Sequence, residues 1–519
     1  MLLLLALFFA ISLPTSNFDL NRTNANLSET QLTPTSVTSG NFKLLGSYTV
    51  DGYMFSQPIF VQGITTSGVA HDLVIVNTMN NNVYAFDANN PGSAAVWSNL
   101  AFATPFTGYP HSDPVLYGQA MGCLSTPVAD VANLKLYVVC DTVSGGVPNW
   151  IIRQLDLTTG ATLLSTTIAG QVVGTGDPGG GDRTSGPNLL FFPLQEFNRT
   201  ALTLANGNVY VGFSSPDDSR PYHGWMIAYS TSTLAQTAIW CGSPNGWGAA
   251  PWGAGGAAAV DGSGNLYFTT GNGTDYDGVT NFTNSAIKMS PSLVMLDWFA
   301  PSNNVSINAV DSDMASNRLI LIPGTTKAVV AGKDYSVYLL DTTCMGHLQG
   351  SSGCSLQTFK TLSSGTPSDA SGSYGMAFMN GTLFLPVTNG SFYAFAFSGG
   401  SFNTTPTLLA NGYGGTNSQL SGSANGASTG ILWVVTSVGN THLAVAQGTL
   451  RALNPVTLAE YGNSSMWGTL GNLSKFVAPL PVNGKVFVAT QDSKLQVFGL
   501  TPSGGMRGQA GMRGQATSR

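Results

Sequence analysis

A phrase of about ten residues recurs eight times along this chain, and the recurrence limits the possible folds more than any other feature. MNNNVYAFDANN, residues 79–90, is a tight polar turn leading into a strand that stops at an acidic residue. Related phrases stand at 151–160 (IIRQLDLTTG), 224–233 (GWMIAYSTST), 285–293 (SAIKMSPSL) and 335–342 (YSVYLLDT). Three more follow at 391–398 (SFYAFAFS), 449–457 (TLRALNPVT) and 494–500 (KLQVFGL). Self-similarity at several tens of residues marks arrays, solenoids and propellers.

Each repeat reads as a small-residue strand, a Gly/Asn turn, a β-branched strand, a loop and an aromatic strand. In the third repeat, 201–204 is followed by the turn Ala205-Asn206-Gly207, then by strands at 209–213 and 225–229. Asn-Gly between apolar runs is a strong hairpin signal. It recurs at Asn380-Gly381 and Asn483-Gly484. A four-stranded antiparallel sheet repeated around an axis is a propeller blade, and the radial arrangement disposes of exposed sheet edges. The predicted fold is therefore all-β, an eight-bladed β-propeller of four-stranded antiparallel blades. The last repeat supplies only three strands, at 476–482, 485–490 and 494–500, while an orphan strand at 42–50 precedes the first. The orphan is predicted to complete the last blade and close the ring. No long segment of helical period competes with this reading.

The apolar run MLLLLALFFAISLPTS is too short for a membrane helix and reads as a signal peptide over 1–16. Residues 17–41, rich in Asn, Ser and Thr, read as a flexible linker to a propeller at 42–500. The duplicated GMRGQA near the C-terminus has no apolar face, so 501–519 reads as a disordered tail. Five cysteines suit an oxidising compartment. Cys123 and Cys140 fall almost opposite each other across a hairpin, Cys344 and Cys354 bracket a Gly/Ser loop, and Cys241 is left over, buried or reactive. These features predict a secreted or extracellular protein, periplasmic in a bacterium. Eleven Asn-x-Ser/Thr triplets offer glycosylation sites if the host is eukaryotic.

Only 8% of residues are charged, so solubility rests on neutral polar groups. A net charge of -6 and a pI near 5.2 provide no basic footprint for nucleic acid. The partners that remain are a small molecule, a glycan or a protein, and the low charge also admits self-assembly.

The phrases LSTPVADVANLKLYVV (124–139), ALTLANGNVYVGFSS (201–215), PYHGWMIAYSTSTLAQTA (221–238), AAAVDGSGNLYFTTGNGT (257–274) and AGKDYSVYLLDTTCMGH (331–347) resemble the secreted pyrroloquinoline-quinone-type repeat propellers. The resemblance implies the quinoprotein alcohol dehydrogenase-like fold. It also implies what a quinone-dependent member uses: Ca²⁺ held by carboxylate and amide oxygens, an Asp base, a Trp stacked on the quinone and often a vicinal Cys-Cys. This chain has no Cys-Cys pair.

The loops predicted to gather on one face are 104–114, 174–183, 215–225, 245–256, 271–278 and 332–335. The densest chemistry is Asp217, Asp218, Arg220, His223 and Trp225. One reading makes this a ligand or quinone site, with Arg220 pairing an anionic oxygen and His223 or Asp217 moving a proton. The other makes it a loop held by its own Asp–Arg pair, with His223 packed beneath. Trp247 and Trp252 are candidates to stack a planar ligand or to anchor blades. Lys333 is a further ligand-binding candidate, and Asp275 with Asp277 are candidate Ca²⁺ ligands. GASTG at 426–430 precedes a strand where a nucleophile elbow needs a helix, and GTGDPG at 174–179 opens no helix. The leading expectation is an exported propeller acting as a binding or scaffold module through its loop-rich face. The alternative is a pyrroloquinoline-quinone-dependent dehydrogenase oxidising an alcohol or sugar.

Overall fold

A computed structural model describes residues 11–501, apart from 101–102, 110–119, 216–217, 352, 355–356, 362–371, 389–390, 407, 411–418 and 438–443. The chain is all-β in design, with five short helices or 3-10 turns of three to five residues placed between strands among the described residues. Among the described residues, eight sheets hold four or five strands each, a pattern that fits a β-propeller. In chain order they occupy 59–99, 128–167, 203–241, 259–300, 320–360, 377–410, 419–463 and 480–500. The eighth sheet takes its fourth strand from the other end of the chain: Phe42–Thr49 runs antiparallel to Lys494–Leu500, with Phe42 opposite Leu500 and Thr49 opposite Lys494.

Both faces of each sheet are buried, which explains why the central strands are apolar at consecutive positions rather than at alternate ones. In the strand Asn208–Phe213, Val209 and Val211 join a core with Tyr137, Val139 and Ile152 of the second sheet. Tyr210, facing the other way, joins Leu266, Phe268 and Ile287 of the fourth. Eight such buried clusters each lie between sheets that follow one another in the chain, except that one brings Tyr48, Phe487 and Val497 of the eighth sheet against Phe60, Val74 and Phe86 of the first. The Asn-Gly turns behave as their composition predicts. Asn206 and Gly207 take φ of 55° and 70°, the left-handed pair that a tight hairpin requires.

The expected linker over 17–41 is not one. Phe18, Arg22, Asn24, Asn26, Glu29 and Leu32 are buried, and Pro34–Thr38 forms a helical turn capped by Thr33. A row of unpaired backbone groups on the first strand of a sheet needs partners, and the N-terminal segment supplies them. Leu13 exchanges hydrogen bonds with Phe60 of the first sheet, and Pro14 O accepts from Ala129 of the second. Arg22 donates to Thr203 of the third. Leu20 O, Asn21 O, Thr23 O and Asn24 O accept from Val260, Leu321, Phe378 and Gly422 of the next four. Asn26 Nδ2 donates to Pro481 O of the eighth. The first strands of all eight sheets thus converge on one short stretch. Its Asn/Thr-rich composition, which resembles that of a disordered segment, provides hydrogen-bonding groups for the centre of the molecule. The expected leader over 1–16 needs the same correction at its end, since Leu13, Thr15 and Ser16 are buried and Leu13 and Pro14 bond to the first two sheets. Residues 1–10 of it, and 502–519 of the expected tail, lie outside the described residues.

Cys123–Cys140 and Cys344–Cys354 are disulfides, as expected, and Cys241 is buried. No helix among the described residues is long and apolar enough to cross a membrane. One small sheet was not anticipated. Gln171–Val173, Thr184–Ser185 and Asn188–Leu190 form a three-stranded unit between the second and third sheets. The loop within it carries Asp177 and Asp182.

Candidate functional site

Three loops meet edge to edge beside this small sheet. Gly224 N donates to Gly248 O, Gly248 N to Tyr222 O, Ala249 N to Asn272 O and Thr274 N to Trp247 O, at 2.8–2.9 Å. The approach is close enough to exclude side chains. A Cβ on Gly224 would lie 1.9 Å from Ala249 O, and one on Gly248, at φ +80°, would lie 2.3 Å from Asn272 O. The lacing brings three polar clusters side by side.

In the first, the Arg220 guanidinium forks onto Asp177, Nε to Oδ2 at 2.9 Å and Nη2 to Oδ1 at 2.6 Å. The pair is asymmetric: the Arg220 side chain is 47% exposed and that of Asp177 only 2%. Burial pushes the Asp177 carboxyl up, but the Arg220 fork and the Gly179 amide outweigh it and hold the group below its ordinary range. The guanidinium lies 4.5 Å from the Trp247 ring centre, stacked over its face. The expected partner was a carboxylate of the same loop. The actual partner comes from 43 residues earlier.

The second cluster is buried. His223, 2% exposed, sends Nδ1 toward Ser243 O at 3.1 Å and Nε2 toward Asp182 Oδ1 at 3.0 Å. Both ring nitrogens thus face oxygen atoms, one of them a carboxylate's. Glu196 lies beneath, its Oε1 accepting from His223 N at 3.2 Å and from Trp225 Nε1 at 3.0 Å. Burial drives the Glu196 carboxyl well above its ordinary range, and these two donors offset only part of that rise. Burial likewise raises the thiol of nearby Cys241, an inert state for a cysteine.

The third cluster joins Asp218 and Lys333, which the sequence offers separately, through Tyr222, Asn272, Asp311 and Asp313, which it does not single out. Tyr222, buried and packed edge-on against Trp247, donates its hydroxyl to Asp218 Oδ1 at 2.8 Å and lies 3.2 Å from Asn272 Oδ1. Asn272 bonds through Nδ2 to Asp311 at 2.6 Å and through its backbone N to Asp313 at 2.7 Å. Lys333 Nζ closes the network on Asp311 Oδ2 at 3.1 Å and Asp313 Oδ2 at 2.9 Å. Lys333 is therefore a buried partner of two carboxylates rather than a cation presented to a ligand. Burial, then the charges of Asp218 and Asp313, push the Tyr222 phenol well above its ordinary range.

Other expectations need correction. The Asp277 carboxylate, proposed as a Ca²⁺ ligand, is consumed by its own turn: it accepts from Val279 N, Thr280 N and Oγ1, and Asn281 N and Nδ2. Asp275 is exposed and accepts from Asn308 Nδ2. Trp252 does not join Trp247. It packs on Phe476 and Tyr374, 4.8 and 6.2 Å between ring centres. Asp217 lies outside the described residues. Asp141 was missed. It follows Cys140 within the second sheet's strand Lys135–Ser144, and burial raises its carboxyl to about 8 despite the Phe106 amide at Oδ2.

No family model and no curated protein matches the sequence. Solved structures do resemble the fold. The quinohemoprotein alcohol dehydrogenase of Comamonas testosteroni aligns at TM-score 0.55 and 14% identity, over 94% of this chain and 80% of that one. A quinohemoprotein alcohol dehydrogenase from Pseudomonas putida HK5 gives 0.55 and 13% over the same shares. A europium-containing methanol dehydrogenase gives 0.53 and 13%, covering 94% of this chain and 89% of that one. The chain thus has the quinoprotein alcohol dehydrogenase-like propeller fold, and at such identity the likeness extends to the fold alone.

The residues present do not fit a quinone with its cation as those oxygens are now arranged. Asp218, Asn272, Asp311 and Asp313 are donors of the hard type. Tyr222 and Lys333 occupy them, and no group of three or more His, Cys, Asp or Glu in metal-binding arrangement occurs among the described residues.

Proposed function

We propose that this chain is an exported propeller of eight blades that binds an acidic ligand over its loop-rich face. The eight sheets are its blades. The pairing of Phe42–Thr49 with Lys494–Leu500, and the core shared by the eighth and first sheets, support closure into a ring. The two disulfides are compatible with an oxidising compartment outside the cytoplasm.

One observation carries the binding reading: Arg220 is held ready at the surface. Asp177 engages two of its five N–H donors and Trp247 supports its face, so the cation is fixed before any ligand arrives. Arg and Trp together are the residue types that dominate binding hot spots. The chemistry that suits this pair is a carboxylate-bearing or sulfated glycan, or an acidic protein segment. The direct test is binding of a panel of uronate and neutral oligosaccharides, followed by Arg220→Ala. Uronate-selective binding weakened about 10- to 100-fold by the substitution supports the proposal. Equal binding of neutral and acidic sugars, untouched by Arg220→Ala, rejects it.

The fold likeness favours a second reading, a quinone-dependent dehydrogenase oxidising an alcohol or sugar, which would require Asp218, Asn272, Asp311 and Asp313 to be released from Tyr222 and Lys333. Incubation with pyrroloquinoline quinone and Ca²⁺, read by quinone absorbance and dye reduction, separates the two. Stoichiometric uptake with turnover establishes the enzyme.

A further inference from the structure

The centre of the molecule buries positive charge that lacks a bonded counter-ion. Arg22 is fully buried and Arg318 is 3% exposed. Arg22 donates to Ala258 O, Thr15 Oγ1, Ser16 O, Asp19 O and Thr203 Oγ1, all of them neutral oxygens. Arg318 donates from Nε to Arg22 O and from Nη2 to Met376 O. Among the described residues neither guanidinium forms an ion pair with a carboxylate. The Asp19 carboxylate acts on both only through space, and its own oxygens are bonded by Thr23 N and Oγ1. Burial lowers the two arginines to about 10 and about 9, and each remains charged at neutral pH. Charge buried in this way is costly unless it is compensated.

Beside Arg318 lies a polar cavity of about 10 Å³, lined by Ser16, Gln57, Thr126, Gly255, Arg318 and Gln419 among others. A cavity of this size holds one particle about as large as a water molecule. Its wall is rich in donors. Gln419 is 4% exposed, and its Nε2 has no partner among the described residues. Arg318 Nη1 likewise donates to no described group. A second buried guanidinium, that of Arg199, stands behind Gly255, where a Cβ would lie 2.7 Å from its Nη1, and that nitrogen is already bonded to Phe55 O. A water molecule in this place would satisfy donors without offsetting charge, whereas an anion would do both.

We propose that the central cavity between Arg318 and Gln419 is a binding site for one small inorganic anion of halide size. The anion would be a structural ligand of the propeller centre, distinct from the Arg220 surface and independent of what that surface binds.

Bromide is the probe. In crystals of the full chain grown in sodium bromide, an anomalous peak is expected in the cavity within hydrogen-bonding distance of Arg318 Nη1 and Gln419 Nε2. In solution at equal ionic strength, chloride or bromide should raise the melting temperature above that in gluconate by about 1–3 °C. Gln419→Glu places a carboxylate where the anion would sit, so the difference between halide and gluconate should vanish in that variant. A bromide-free cavity in the crystal overturns the proposal, as does an equal halide response in the wild type and the variant. If Gln419→Glu fails to fold, the bromide position in the wild type decides the question alone.

Discussion

Lys333 and Arg22 are both buried cations, and the molecule accommodates them in opposite ways. On the loop-rich face, Lys333 is matched by two full carboxylates, Asp311 and Asp313. At the centre, Arg22 is surrounded by carbonyl and hydroxyl oxygens contributed by its own segment and by two sheets. The first arrangement is a compact ion cluster whose members have other uses once rearranged. The second is a fixed cage of dipoles that has value only while the whole fold stands. Asp141 shows a third solution, in which burial favours the neutral acid and no charge is buried at all.

The comparison breaks most readily at the centre. Arg22→Met removes the donor from five oxygens, and at about 1 kcal/mol each the loss should be about 3–5 kcal/mol in urea unfolding. A loss below about 1 kcal/mol would mean that the cage contributes little. On the face, Lys333→Met removes the cation from Asp311 and Asp313 and should cost about 3 kcal/mol. Adding Asp313→Asn to that variant should restore at least half of the loss, measured by the same unfolding curves, whereas no such rescue exists for Arg22→Met. Asp141 sharpens the contrast through pH. Its folded-state value lies above its unfolded one, so its contribution is complete below about pH 4 and is lost as pH rises toward about 8. The limiting slope is about 1.4 kcal/mol per pH unit. Between pH 6 and 8 the wild type should lose about 2–3 kcal/mol more than Asp141→Asn, as seen in paired thermal melts. The smallest effect belongs to the surface. Trp247→Ala should change stability by only about 0.5–1 kcal/mol, because the Arg220 stack is half in water.

The sheets were legible in the sequence because turn chemistry and strand pattern agree locally. Asn206-Gly207 and Asn483-Gly484 turn where Asn-Gly should, and the orphan strand pairs with the last repeat. The Cys123–Cys140 disulfide was legible for the same reason, since Cys140 lies in the strand Lys135–Ser144 and Cys123 on the run leading into its hairpin partner Val128–Asp130. The candidate site was only half legible. Arg220, His223 and Trp247 do meet, but through Asp177, Asp182 and Glu196. Asp177 and Asp182 sat in what read as a glycine loop, and Glu196 in an apolar stretch. Asp311 and Asp313 share one loop and Lys333 comes from another, so their contact depends on the tertiary fold and no spacing announces it. The segment 17–41 misled for a physical reason. Composition records that Asn, Ser and Thr favour polar surroundings but not whether water or a sheet edge supplies them.

The N-terminal stretch bonds to every sheet, from the first to the last. These residues precede every sheet they bond, so during synthesis they gain their final neighbours only once the last of those sheets has been made. Until then they remain without a home, and any helper that shields the nascent chain has to release this stretch last.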